Sequence, residues 1–466
     1  MRRILESIIR WLAEALVRLY YPHRSVEGVE RLVRDGPVVF VANHPNGLLD
    51  PLLVRVMTER PARFLAKSTL FGNPAGRLAM EAFGSIPIYR AKESAGQDAS
   101  RNEESFARCR AALANGEALA LFPEGVSHSD PQMKPLKTGA ARIALSAAES
   151  APDLRVLPVG LFYERKVLFR SRVLLVVGEP VPIAPLLPAY RSDERAAVDA
   201  LTDDIRARLD EVVLQAESRD LLTGVARVAS WTINPGPLKG FPDPPATDSA
   251  RQAELRPRDG AAANDEDDLA ARHRRTRELL AAYGRVHARD PARVEAIASA
   301  ARGYARTLQH LGVTDPWALE VEMVSARAAI ATLLKLLLCA PFAVIGAIMG
   351  WIPYRLADPV ARRVTDQEDV LSTVKMIAGA LFLWLAWSAE AIAAGVLWGA
   401  IWIVPVFLLG VASGYASLRF GEILSATVEA VRHLALRALH HDTARRLADR
   451  RRALADAVAS ALREAA

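Results

Sequence analysis

Cysteine is scarce in this sequence, and no long block carries charge of a single sign. Cys109 and Cys339 are the two cysteines; they lie far apart without CxxC spacing, so neither a disulfide framework nor a metal site is predicted, and a reducing compartment is expected. The net charge of +6 comes from arginines spread along the chain, which suits anionic lipid headgroups or phosphate substrates as well as nucleic acid. A basic patch interleaved with aromatic residues is lacking, so no nucleic-acid partner is predicted.

The N-terminus lacks the uninterrupted apolar core of a signal peptide, because charged residues continue from Arg2 to Arg18. Apolar residues recur there at helical spacing. Residues 1–24 are therefore predicted to form an amphipathic helix, which either packs on its own domain or lies in a membrane interface. No period of 20–50 residues repeats, which argues against a solenoid.

Short β-rich apolar runs alternate with helical stretches between Pro37 and Pro182; the predicted strands are VVFVAN, SIPIYR, ALALF, RVLPVGLFY and RVLLVVG. This alternation predicts an α/β domain over residues 25–220, with a mostly parallel sheet flanked by helices. Residues 221–266 are rich in proline, glycine, alanine and acid, and are predicted to be a partly disordered linker. Helical, charged sequence follows over residues 267–327.

A hydrophobic region is predicted over residues 328–420. Residues 376–418 contain Glu390 as their one formal charge and are long enough for two membrane helices, divided near 390–395. A full crossing by residues 328–353 would separate the basic loop after them from the domain at 25–220, so a re-entrant or interfacial segment is predicted there. The basic helix at 421–466 then returns to the cytoplasmic side.

The first motif that carries chemistry is NHPNGLLDP, residues 43–51, between a predicted strand and a predicted helix. His44 and Asp50 are therefore expected at the mouth of the sheet, where ligand sites concentrate. Acyl transfer to a hydroxyl needs a base, and a carboxylate on the other imidazole nitrogen fixes its tautomer. A single His–Asp pair in a loop is more often structural, so this motif alone does not decide the function.

Three further motifs follow along the chain. GSIPIYR ends in Arg90, whose guanidinium suits either a phosphate or a surface salt bridge. LFPEGVSHSD places Glu124 and Gly125 in a tight turn, where the acid suits a polyol and the backbone amides suit an oxyanion. Lys137 opens the next predicted helix, where an anion is favoured, and VLPVGLFY carries Pro158 on a strand whose simpler role is in the core.

The ordered set resembles the glycerophosphate and lysophospholipid acyltransferase family, whose hallmark is an NH…D box, a G…P…R box, an FPEG box and a strand with proline. All four occur in that order within about 120 residues, from Asn43 to Pro158. HPNGLLDP, FPEGVSHSDP and LFRSRVLLVVG look most like the branch typified by fungal glycerol-3-phosphate/dihydroxyacetone-phosphate acyltransferases. That branch also has a residue pattern just before its membrane region, and this sequence contains similar residues there, including Asp369, Thr373 and Lys375.

The resemblance implies an integral membrane O-acyltransferase of phospholipid biosynthesis, with its catalytic domain on the cytoplasmic face. Such an enzyme needs no cofactor; acyl-CoA or acyl carrier protein is the co-substrate, and glycerol-3-phosphate or 1-acylglycerol-3-phosphate (lysophosphatidate) is the acceptor. The implied catalytic residues are His44 as base and Asp50 as its partner. The implied residues that bind the acceptor and its phosphate are Lys67, Arg90, Glu124, Gly125 and Lys137. The implied residue on the acyl-donor side is Pro158.

One departure bears on the catalytic pair. The usual family box has four residues between histidine and aspartate, whereas five separate His44 from Asp50. An extra residue displaces the carboxylate unless the loop bulges, and Gly47 permits a bulge.

Two other classes of function stay open at this point. A catalytically silent lipid-binding membrane protein with the same fold would be expected to have lost His44, Asp50 or Glu124. A hydrolase using Ser127 or Ser129 with His128 is disfavoured, because neighbouring side chains on an extended segment point to opposite faces and no G-x-S-x-G elbow occurs. The acceptor, the donor chain length and the oligomeric state are not fixed by the sequence.

Overall fold

The computed structural model describes residues 2–89, 98–233, 262–313, 326–439 and 441–465. It divides into two compact units. The first comprises Met1–Arg219 together with Thr365–Met376, and the second comprises Asp220–Val364 together with Ile377–Ala466. The first unit thus contains most of the predicted α/β domain and also a short segment from the predicted membrane region.

The first unit is built on one seven-stranded sheet, in the spatial order β1-β7-β6-β2-β5-β3-β4. Strands β2 to β6 run in one direction; β7 is antiparallel to β6, and β1 is parallel to β7. The prediction of a mostly parallel sheet is confirmed. The strands are His23–Glu27 (β1), Val38–Ala42 (β2), Arg63–Lys67 (β3), Ile86–Ile88 (β4), Ala118–Leu121 (β5), Arg155–Tyr163 (β6) and Arg172–Val177 (β7).

Helices cover this sheet, so its central strands read as unbroken apolar runs. All five residues of β2 and all four of β5 are buried. Local capping defines helix starts: Asn73 accepts a hydrogen bond from Gly76 N, and Asp193 accepts one from Ala196 N. The helices are Arg2–Tyr20 (α1), Leu49–Met57 (α2), Pro74–Ala82 (α3), Asp98–Ala114 (α4), Gly139–Ala148 (α5), Leu187–Ser192 (α6) and Glu194–Asp210 (α7).

Helix α1 uses only part of its apolar surface for packing. Val17 and Tyr20 lie in the core of the unit, and Arg10 donates to Ala82 O at 2.7 Å. Ile4 and Trp11 remain 66% exposed, and Ile8 and Leu12 are about half exposed. The helix therefore packs on its own domain and also presents an apolar face outward.

The second unit is helical. Its helices are Arg219–Thr232 (α8), Ala262–Arg289 (α9), Pro291–Leu311 (α10), Ala326–Val364 (α11), Glu368–Trp398 (α12), Ile403–Leu439 (α13) and His441–Ala465 (α14), although α8 and α12 begin within the first unit. Trp231, Tyr304 and Leu454 belong to one buried core formed by α8, α9, α10 and α14. The predicted linker thus starts with a helix, because Leu222, Val225 and Ala229 give α8 an apolar face. Residues 234–261 of that linker lie outside the described residues.

Three helices are long and apolar enough to cross a membrane: Ile330–Val364, Glu368–Trp398 and Ala400–Leu436. The hairpin turn lies at Gly399, whose φ of 103° suits glycine, rather than near 390–395 as predicted; Glu390 lies inside α12. Helix α11 is continuous despite Pro341 and Pro353, and the predicted re-entrant course of 328–353 stays a prediction.

Candidate active site

His44 and Asp50 form a hydrogen-bonded pair at the carboxyl end of the central strand β2. His44 lies two residues after that strand, and Asp50 lies in the first turn of α2. The imidazole Nδ1 donates to the Asp50 carboxylate at 2.9 Å. Asp50 is fully buried, whereas the His44 side chain keeps 17% of its surface exposed. A carboxylate on Nδ1 leaves the Nε2 lone pair as the proton acceptor.

The turn between them accommodates the extra residue. Gly47 has a φ of 38°, a left-handed conformation that favours glycine. Asn46 N donates to the same Asp50 oxygen at 2.6 Å, and Leu49 N donates to Asn46 O at 2.9 Å. The bulge expected at Gly47 thus brings the carboxylate back to the imidazole.

Asp50 has a third donor that the sequence did not reveal. The hydroxyl of Tyr163, at the end of β6, donates to the other carboxylate oxygen. Burial and the Asp50 charge raise the pKa of Tyr163 well above its usual value, and burial likewise raises that of the neighbouring Tyr21. The Tyr163 hydroxyl therefore stays neutral and remains a hydrogen-bond donor to Asp50. The signal available in the sequence was a tyrosine ending a predicted strand.

Glu124 holds the main chain of the histidine loop. Its side chain is nearly fully buried, and one oxygen accepts from His44 N at 3.2 Å. The other oxygen accepts from Lys134 N at 2.7 Å and from the His128 ring. These contacts already occupy both carboxylate oxygens with donors from the chain. The hydrogen bonds to the acceptor that were predicted for Glu124 stay a prediction.

Two contacts join the loop after β5 to the histidine loop. His128 N donates to His44 O at 3.0 Å, and the His44 ring stacks on Phe122 with centroids 4.1 Å apart. The stacked ring restricts rotation of the imidazole. Gly125 N donates to Phe122 O at 2.9 Å, so this amide is already hydrogen-bonded within the turn; an oxyanion site formed by amides near Gly125 stays a prediction.

Lys67 and Lys137, two of the three cations predicted to bind phosphate, lie near the carboxyl ends of β3 and β5. Lys67 ends β3, two strands from β2, and Lys137 lies just before α5. Lys137 is exposed, and its side chain lies against Gly125, where an added Cβ would meet Nζ at 2.7 Å. Arg90 lies outside the described residues. Carboxyl ends of parallel strands meet at one edge, which places Lys67 on the same side of the sheet as His44.

Pro158 lies deeper in the sheet. It is buried within β6, opposite Val41 of β2, and its carbonyl accepts from Gly178 N at 2.9 Å. Four residues separate it from Tyr163 at the carboxyl end of β6. The structure therefore gives it a core position, and its role on the acyl-donor side stays a prediction.

Lys166 is a second residue that sequence reasoning missed. Its ammonium donates to Pro45 O at 2.9 Å and to the Ser129 hydroxyl. Burial lowers the pKa of Lys166, while the carboxylates of Asp50, Glu368 and Asp369 act to raise it. Lys166 thus ties the residue after His44 to the loop after β5.

Comparison with known proteins places this site in a named domain. Residues 23–161 match the family model "Acyltransferase". The chain is 25% identical over 299 residues to an uncharacterized acyltransferase of Schizosaccharomyces pombe, covering 46% of this chain and 44% of that protein. It is 34% identical over 121 residues to glycerol-3-phosphate O-acyltransferase 1 of Saccharomyces cerevisiae, covering 25% of this chain and 16% of that protein.

A human relative and a solved structure extend the comparison. The chain is 27% identical over 197 residues to 1-acyl-sn-glycerol-3-phosphate acyltransferase beta of Homo sapiens, covering 41% of this chain and 67% of that protein. A crystal structure of PlsC, the 1-acyl-sn-glycerophosphate acyltransferase of Thermotoga maritima, aligns with a TM-score of 0.31 and 20% identity, covering 45% of this chain and 81% of that one. The chain spans less than half the length of the first curated relatives it matches. The family model and the yeast and human relatives confirm the predicted resemblance.

Proposed function

We propose that this chain, which carries an acyltransferase-family domain at residues 23–161, is a membrane-bound O-acyltransferase acting on a phosphorylated glycerol. The observation that carries the proposal is the buried Asp50 carboxylate on Nδ1 of His44, whose side chain stays partly exposed at the sheet edge. The acceptor is glycerol-3-phosphate or 1-acylglycerol-3-phosphate, and the donor is an acyl thioester, either acyl-CoA or acyl carrier protein. The names of the yeast and human relatives support this pair of acceptors.

The reaction is a direct transfer without an acyl-enzyme. The Nε2 atom of His44 removes the proton of the acceptor hydroxyl as its oxygen attacks the thioester carbonyl. The carbon–sulfur bond then breaks, and the thiol, with a pKa of roughly 8.5, leaves as thiolate with little need for an acid. Asp50 stabilises the imidazolium that forms, and Tyr163 and Asn46 keep that carboxylate in place.

The phosphate of the acceptor is bound by cationic side chains. Lys67, Arg90 and Lys137 are the residues proposed to contact it, because ammonium and guanidinium groups form charge-assisted hydrogen bonds with phosphate oxygens. Pro158 is proposed for the acyl-donor side. No cofactor or metal enters the proposed reaction.

Membrane attachment is proposed from two features of the chain. Three helices have the length and apolar composition of membrane spans, and α1 exposes Ile4, Ile8 and Trp11 on one face.

The catalytic domain is proposed to face the cytoplasm, because the basic residues around 362–375 and the basic helix α14 are the type retained on that side. Recovery of full-length protein in a salt-washed soluble fraction would refute the attachment.

The test compares His44→Ala with the control His310→Ala, an exposed histidine at the end of α10. Detergent-purified full-length protein is assayed with labelled acyl-CoA and acyl carrier protein against glycerol-3-phosphate, dihydroxyacetone phosphate and lysophosphatidate. We expect transfer to at least one acceptor, its loss in His44→Ala and its retention in His310→Ala. Unchanged turnover in His44→Ala would refute His44 as the base, and a folded wild type without transfer to any acceptor would favour a silent lipid-binding protein.

A further inference from the structure

Residues 365–376, here named the strap, belong to the first unit although they follow α11 and include the start of α12, both helices of the hydrophobic region. The strap consists of the connection after α11 and the first two turns of α12. Ser372 is fully buried, Thr373 is nearly so, and Met376 lies in the hydrophobic core with residues of β2 and α2. The strap is therefore packed into the acyltransferase-family domain rather than lying on its surface.

Asp369 of the strap contacts both loops that flank the catalytic histidine. Its carboxylate accepts a hydrogen bond from the Ser127 hydroxyl, in the loop after β5. Its carbonyl oxygen lies directly against Gly47, where an added Cβ would approach to 2.8 Å. Asp369 thus contacts both the loop that contains Ser127 and the turn at Gly47 that brings Asp50 to His44.

A second set of contacts reinforces the first. The Ser372 hydroxyl donates to Lys166 O at 3.0 Å, and the Lys166 ammonium donates to Pro45 O. Glu368 pairs with Arg219 at 3.2 Å, and Arg219 donates to Ser129 O at 2.9 Å. The strap is connected to the loop after β5 both through Asp369 and through Arg219.

We propose that Asp369 is a positioning residue for acyl transfer: from the strap, it holds the turn that carries His44 in register with the loop that carries Glu124. This inference rests on the proposed function. Asp369 acts through Ser127 and Gly47. A reacting base must stay within about 0.5 Å of its productive position, and a displacement of about 1 Å costs up to about a hundredfold in rate. Loosening the turn therefore lowers kcat, whereas the cations that bind the acceptor phosphate stay in place and leave KM unchanged.

The test uses three variants of the full-length protein in detergent. Asp369→Ala removes the acceptor for Ser127, Asp369→Asn keeps an oxygen acceptor at the same position, and Asp366→Ala is a matched control at an exposed residue of the strap. We expect kcat to fall about 10- to 100-fold in Asp369→Ala, with KM for the acceptor changed less than about twofold. Asp369→Asn should recover most of kcat, and Asp366→Ala should match the wild type. Equal kcat in Asp369→Ala and Asp366→Ala, or a loss entirely in KM, would overturn the proposal.

Hydrogen exchange supplies a readout that does not depend on turnover. The amides of residues 44–50 and 125–130 should exchange at least about tenfold faster in Asp369→Ala than in Asp366→Ala, with exchange in α7 unchanged. Ser127→Ala should reproduce this effect, because it removes the same hydrogen bond as Asp369→Ala. For the same reason, the double variant Ser127→Ala/Asp369→Ala should exchange little faster than either single variant. Exchange equal to wild type in Asp369→Ala would refute the positioning role even if no acceptor is ever found. Unchanged turnover in His44→Ala would instead refute the proposed function alone.

Discussion

Replacing Asp50 with asparagine tests the electrostatic part of the site while nearly preserving its shape. Asp50 accepts from His44 Nδ1, Asn46 N and the Tyr163 hydroxyl. An asparagine oxygen placed toward His44 and Asn46 retains two of these bonds, and its amide then faces Tyr163, whose hydroxyl can rotate to accept. The change therefore removes a negative charge beside the imidazole with little change in packing.

The charge alone sets the expected magnitude. The donor and acceptor atoms are 2.9 Å apart, which places the two charge centres about 4 Å apart. At an effective dielectric constant of about 20, such a pair interacts by about 4 kcal/mol. This stabilisation exists only once His44 has taken the proton, so it is lost from the transition state and not from substrate binding. At about 1.4 kcal/mol per factor of ten, kcat should fall about 1,000-fold.

The assay is steady-state transfer by purified Asp50→Asn, with Tyr163→Phe as the graded comparison. Tyr163→Phe keeps the charge and removes one donor to it, so a loss of about 10-fold is expected, equivalent to one charge-assisted hydrogen bond. Thermal unfolding in detergent checks that both variants are folded. A folded Asp50→Asn enzyme whose kcat stays within about tenfold of wild type would show that imidazolium stabilisation by Asp50 is not what drives the reaction.

Two further predictions concern the second unit. Burial, followed by the charges of Arg277 and Arg274, lowers the pKa of His273 from 6.5 to about 4. Between pH 6.5 and pH 4 the unfolded state therefore binds more protons than the folded state, and the free energy of unfolding falls by up to about 3 kcal/mol as the pH drops through this range. Amide exchange in α9 should accelerate over the same range. His273→Gln should remove most of this pH dependence. At Gly346 an added Cβ would approach Ser413 O to 1.9 Å, so Gly346→Val should destabilise the packing of α11 on α13 by about 1–3 kcal/mol. Its control is Gly421→Val, where an added Cβ meets open space; equal melting temperatures in detergent would contradict this packing.

The sequence predicted the elements whose burial makes them apolar. Strands β2, β5, β6 and β7 lie in the interior of the sheet and appear as apolar runs. Strands β1 and β3 were missed: β1 is an edge strand of mixed composition, HRSVE, and β3 buries only Phe64 and Ala66. A short strand with charged residues carries no periodic signal, and its pairing with a neighbour is what defines it.

The site was predicted to the extent that its residues are close in sequence. His44 and Asp50 belong to one loop, so local spacing and one glycine were enough to place them together. Tyr163, Lys166 and Asp369 reach the same site from β6, the loop after it and the start of α12. Which strand lies beside β2, and which distant helix packs there, depends on tertiary structure that no local pattern encodes.

The two buried carboxylates, Asp50 and Glu124, each fix a different part of His44. Asp50 fixes the imidazole through Nδ1, whereas Glu124 fixes the main chain through His44 N. Burying a carboxylate destabilises the fold unless its oxygens are hydrogen-bonded, so each acid accepts further bonds from other parts of the chain. Asp50 accepts from the Tyr163 hydroxyl and Asn46 N, and Glu124 accepts from the His128 ring and Lys134 N. The separation of the NH…D and FPEG boxes along the chain follows from this arrangement. Each box supplies one acid to the same residue, from adjacent parallel strands that end at one edge of the sheet.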